Sequence, residues 1–123
     1  MAIVVGHLST PEGQEALTTA VTEARQRDVP LVVVTSAGRG DDADRAAAIA
    51  SLESHLANAG VQHSVVAGTG DLAEDLVRVA AESDAELIVI GLRRRSPVGK
   101  LILGSGAQRI LLESPCPVLA VKP

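Results

Sequence analysis

A chain of 123 residues has the length of one domain, and 46% of it is apolar, enough for a buried core. It contains no Phe, Tyr or Trp on which bases could stack, and a formal charge of -4 supplies no pull toward DNA, RNA or anionic membranes. A single cysteine, Cys116, excludes an internal disulfide and suits a reducing compartment.

Residues 2–7 are a short β-branched apolar run of the buried-strand type. It starts at once, with no basic leader, and no later run reaches the length of a membrane span. The expectation is therefore a soluble cytoplasmic domain over residues 1–123. Ser9-Thr10-Pro11-Glu12 places hydroxyls before a proline, which opens a helix. Ala16, Leu17, Ala20, Val21 and Ala24 continue it at helical spacing until Pro30 ends it. Residues 31–34 form a second buried strand, 36–42 a loop by composition, and 43–59 a second helix stopped by Gly60. A third strand over 61–67 is shorter and partly polar, as expected near a sheet edge.

Gly68-Thr69-Gly70 makes the next turn. Asp71 with Glu74 resembles a capping box, and its helix runs through Ala81 with Leu72, Leu76, Val79 and Ala80 on the apolar face. Residues 86–90 form the fourth strand and run into Gly91, followed by a basic loop containing Ser, Pro and Gly. A helix begins near Ser105 and reaches Glu113, and a final strand covers 116–121. Strands that are apolar throughout, alternating with helices, predict an α/β fold: an open five-stranded parallel sheet with helices on both faces.

Ligands of such sheets collect at the carboxyl ends of the strands, where strand order reverses. The candidate loops are 6–11, 35–42, 68–71 and 91–104. Residues 6–13 read GHLSTPEG and lack the dinucleotide fingerprint. Gly99-Lys100 is followed by Leu101, so there is no Walker A loop. Carboxylates of a phospho-acceptor are missing after the first and third strands. His7, His55 and His63 have no Cys or carboxylate at ligand spacing, so no metal site is expected. Gly104-Ser105-Gly106 at a helix start, beside a basic loop, suits an anion, or forms only a turn and N-cap. Arg93-Arg94-Arg95 reads equally as a phosphate clamp or a solvated loop face. Cys116 reads as a small packed hydrophobe.

The spacing from Gly91 through position 94 to Gly104-Ser105 resembles the nucleotide loop of the universal stress protein family: glycine, two residues, glycine, nine residues, glycine, then Ser or Thr. The flanks agree, with Ala85-Glu-Leu-Ile-Val-Ile-Gly91, Arg95-Ser96, and Leu111-Leu-Glu-Ser-Pro-Cys-Pro-Val-Leu-Ala-Val-Lys122. In the N-terminal half, Ile3-Val-Val-Gly6 followed by Ser-Thr-Pro is also similar. The resemblance implies a Rossmann-like fold of the adenine nucleotide alpha hydrolase-like kind, and a ligand that is ATP or another adenine nucleotide, with or without Mg²⁺. The implied contacts are Gly6, His7, Ser9, Ser36, Gly91, Arg94, Arg95, Ser96, Gly104, Ser105 and Gly106. It further implies a homodimer paired through the strand at 116–122.

Two positions depart from the family pattern. Arg94 stands where ATP-binding members have glycine, and Leu8 where they carry a nucleotide-contacting aspartate at the end of the first strand. His7 and Ser9 are the polar groups nearest to replacing that aspartate. The leading expectation is a non-catalytic stress-response module that binds an adenine nucleotide. The alternatives are a member acting through protein contacts alone and, less favoured, a slow ATP hydrolase. Neither an acid-base pair nor metal ligands support strong catalysis.

Overall fold

The computed structural model describes residues 1–7, 10–35, 42–92 and 104–122. Strands and helices alternate: β1 (Ala2–His7), α1 (Pro11–Arg27), β2 (Leu31–Thr35), α2 (Asp42–Asn58), β3 (His63–Ala67), α3 (Leu72–Glu82), β4 (Ala85–Gly91), α4 (Ser105–Glu113) and β5 (Val118–Val121). All neighbouring strand pairs are parallel, in the order β3-β2-β1-β4-β5. The partly polar third strand lies at an edge, and β5 forms the other edge.

Side chains alternate along each strand, so each strand feeds two cores. Ile3, Val5, Leu31, Val33, Leu87 and Val89 join α1 and α2, the latter through Leu52 and Leu56. Val4, Val32, Val34, Ile88 and Ile90 join α3 and α4 on the opposite face. Helices therefore cover both faces of the sheet. Each fully buried Val, Leu or Ile contributes about 1.5–3 kcal/mol relative to exposure. The small alanines of α1 (Ala16, Ala20 and Ala24, all buried) let its axis lie close to the strands without any aromatic filler.

Three boundaries differ from the sequence expectation for identifiable reasons. Helix α1 stops before Pro30 because Asp28 adopts the left-handed conformation (φ 53°, ψ 49°), and the Val29 N–H then reaches back to the Ala24 carbonyl at 3.1 Å. Strand β3 starts at His63: Val61 already packs into the core, but the first β2–β3 partner pair is Leu31 with His63. Strand β5 starts at Val118, since the Ser114 hydroxyl engages both the N–H (3.2 Å) and the carbonyl (2.7 Å) of Cys116 in a turn. Pro117 then contributes only its carbonyl, bonded by the Ile88 N–H at 3.1 Å. Cys116 itself is half-buried against the second core. Among the described residues, no helix is long and apolar enough to cross a membrane.

Candidate functional site

The chain moves outward from β1 to β3 and then returns to place β4 on the other side of β1. Connections leaving β1 and β4 therefore diverge, and a crevice opens beyond their carboxyl ends. A cleft of about 380 Å³ lies there. Gly6 of β1 and Val89, Ile90 and Gly91 of β4 line its base. Thr10, Glu12, Gly13 and Ala16 form one wall, Leu72, Ala73 and Leu76 of α3 a second, and Gly104, Ser105, Gly106, Ala107 and Ile110 a third.

Helices α1, α3 and α4 all begin at this cleft, and their first turns are satisfied differently. At α1 the Thr10 hydroxyl accepts from the Gly13 N–H at 3.2 Å, and Pro11 has no N–H to satisfy. At α3 the Asp71 carboxylate accepts from the Glu74 N–H at 3.2 Å. Helix α4 begins at Gly104, which has no side chain to offer and is extended (φ −69°, ψ 166°). Its first intrahelical bond runs from the Gln108 N–H to the Gly104 carbonyl at 3.0 Å. The N–H groups of Ser105, Gly106 and Ala107 thus precede the helical ladder, and the N-cap supplies no acceptor for them. This end carries the partial positive charge of the helix toward the cleft.

Arg109 holds α4 in place against α3. Its guanidinium lies 3.0 Å from Asp71, 3.9 Å from Glu74 and 2.9 Å from Glu113. Asp71 therefore caps α3 with one oxygen and ties α4 with the other. A second anchor lies behind the cleft. Asp75 is fully buried and accepts from the Thr69 N–H (2.7 Å), the Thr69 hydroxyl (2.7 Å) and Arg78 (3.0 Å). Burial, the largest single influence on this carboxyl, opposes its ionisation. The Thr69 and Arg78 donors together outweigh it and hold the group below its ordinary 3.8.

The cleft brings together Gly6, Gly91, Gly104, Ser105 and Gly106 from three separate stretches of chain. His7 does not line it. Strand alternation sends its side chain to the α1 face, with Ile3 and Val5, where its Nδ1 is buried without a partner among the described residues. Burial pushes its imidazole below the ordinary 6.5, which favours the uncharged form. Ser9, Ser36, Arg94, Arg95 and Ser96, and the departure at Leu8, lie outside the described residues. Thr10, Glu12, Leu72 and Leu76 were absent from the sequence-derived set. Leu72 and Leu76 have the helical spacing of core residues, and spacing cannot distinguish a core contact from a cleft wall.

Residues 1–122 match the model of the universal stress protein family. The chain belongs to that family. A universal stress protein of Mycolicibacterium smegmatis is 44% identical over 126 residues, covering 98% of this chain and 97% of that protein. Among solved structures, a universal stress protein from Archaeoglobus fulgidus superposes with a TM-score of 0.76 at 36% identity, over 99% of this chain and 98% of the other. A second, the universal stress protein from the same organism in complex with dAMP, gives 0.72 at 30% identity, again over 99% and 98%.

Proposed function

We propose that this universal stress protein binds an adenine nucleotide in the β1–β4 cleft, with a phosphate against the start of α4. The open first turn of α4 carries this reading. Its N–H groups at 105–107 face a cleft whose other two helices are capped by Thr10 and Asp71. Gly104 and Gly106 flank the first turn of α4 without bulky side chains, and a Cβ at Gly106 would meet only the Ala73 Cβ at 3.8 Å, so a phosphate has room to approach the backbone there. The apolar wall of Leu72, Leu76 and Ile110 suits an uncharged part of the ligand. A relative 30% identical in sequence was solved with dAMP, which fits a nucleotide of this size and charge. Arg94, Arg95 and Ser96 lie in the segment leading to α4, and their donors would add to phosphate binding.

In this reading the domain spans residues 1–123 and acts as a non-catalytic, cytoplasmic, homodimeric module whose nucleotide state is passed to a partner. The dimer forms through the β5 edge, beyond which no further strand pairs among the described residues. A second reading, action through protein contacts alone, is favoured by Leu112, a leucine 86% exposed on α4.

The test is to purify the protein without added nucleotide, denature it and separate any released nucleotide by chromatography. AMP and ATP, with and without Mg²⁺, are then titrated while the melting temperature is followed. Binding raises that temperature as ligand exceeds its dissociation constant. Gly104→Val abolishes the effect, and Arg94→Ala weakens it. An unmoved melting temperature at millimolar AMP and ATP, with nothing released, would sink the nucleotide reading.

A further inference from the structure

The open turn of α4 and the first turn of α1 are walls of the same cleft, yet they carry opposite electrostatics. Among the described residues, helix α4 starts with no side-chain cap on its N–H groups and no first-turn acid. Helix α1 has already used the Gly13 N–H on Thr10, lacks one at Pro11, and places Glu12 in its first turn. Glu12 is part-buried and lines the cleft. Its backbone abuts Gly91: a Cβ on that glycine would meet the Glu12 carbonyl, with the carbonyl carbon at 2.8 Å and the Glu12 Cβ at 3.2 Å. The Glu12 backbone is therefore fixed by packing against the end of β4, and its side chain branches from a residue that lines the cleft.

From this we infer that Glu12 sets the charge the cleft accepts, favouring a nucleoside monophosphate over a metal-free polyphosphate. The inference rests on the nucleotide reading above. One phosphate against α4 is stabilised by that helix end. Each further phosphate adds negative charge within a cleft that already holds a carboxylate, in a setting less screened than bulk water. A divalent cation on the polyphosphate would relieve that repulsion. The carboxylate acts in this way whatever else it is bonded to, because a paired carboxylate still cancels the field of its partner.

The experiment measures calorimetric affinities for AMP, metal-free ATP and Mg²⁺-ATP on the wild type, Glu12→Gln and Glu15→Gln. Glu15 is exposed in α1 and outside the cleft, so it controls for overall charge and for the helix dipole. Glu12→Gln should tighten metal-free ATP relative to AMP by on the order of fivefold and shrink the Mg²⁺ effect by a similar factor. Glu15→Gln should leave both ratios unchanged. Circular dichroism confirms that each variant is folded. An unchanged ATP-to-AMP ratio in Glu12→Gln, or an equal change in Glu15→Gln, overturns the inference while leaving the nucleotide reading intact. Absence of binding to any of the three ligands by the wild type overturns both.

Discussion

Gly91 ends β4 where the backbone of Glu12 crosses it, so the residue serves packing before it serves any ligand. Gly91→Ala drives a methyl group against the Glu12 carbonyl and should destabilise the fold by roughly 1–3 kcal/mol in urea unfolding. Gly106→Ala is the contrast: its nearest neighbour would be the Ala73 Cβ at 3.8 Å, ordinary contact, and stability should change by less than about 1 kcal/mol. Both glycines were named from the sequence, Gly91 as the first residue of the loop signature and Gly106 in the cluster at the start of the following helix. Spacing cannot separate a glycine required by a neighbouring backbone from one that leaves a surface bare.

Asp75 carries the second prediction at this scale. Its folded pKa is lowered, so its contribution is fully present above the unfolded value near 3.8 and is lost as pH falls through the lower folded value. Acid titration of stability should therefore show a loss beginning below about pH 4 that Asp75→Asn removes. The same substitution should cost roughly 1–3 kcal/mol at neutral pH, because the Thr69 and Arg78 donors lose a carboxylate that serves all three bonds. Thr69 lies in the turn before α3 and Asp75 within that helix, six residues on, and no local pattern marks them as partners.

Among the elements, helix starts were the most legible feature, since capping is local chemistry: Thr10 before Pro11, and Asp71 before Glu74. What those starts face was not legible. Asp71 also ties Arg109, 38 residues away, and so couples the cap of α3 to the placement of α4. Asp71→Ala should lower stability by about 1 kcal/mol through the lost cap. Arg109→Ala should have a smaller, salt-sensitive effect on the melting temperature, as for other exposed ion pairs. In the double variant the two losses should sum to more than the measured change, because both remove the same Asp71–Arg109 contact. Strictly additive losses would show that the tie between α3 and α4 carries no energy.

For the whole molecule, alternation along each strand divides the core in two, and the return of the chain from β3 to β4 puts a crevice beside β1. The same topology leaves β5 at an edge, its residues only partly buried apart from exposed Ala120. Sedimentation equilibrium should find a dimer that Ala120→Asp weakens, since a charge on an exposed edge opposes strand-to-strand pairing. A monomer at all concentrations would remove the β5 dimer from the proposal.

Composition and periodicity by themselves determined the α/β class and the order of the elements, and the resemblance of the stretch from Gly91 to Ser105 pointed to the lineage. Those are properties of local conformational preference and of residues close in the chain. Only the tertiary structure decided that Gly6, Glu12, Leu72 and Ser105 share one cleft and that His7 is not part of its lining. It also decided that α4 alone among the three converging helices starts without a side-chain cap. The physical reason is strand order. A parallel sheet whose order reverses beside its first strand brings together helix ends from distant parts of the chain, and their electrostatic sum exists only once they meet.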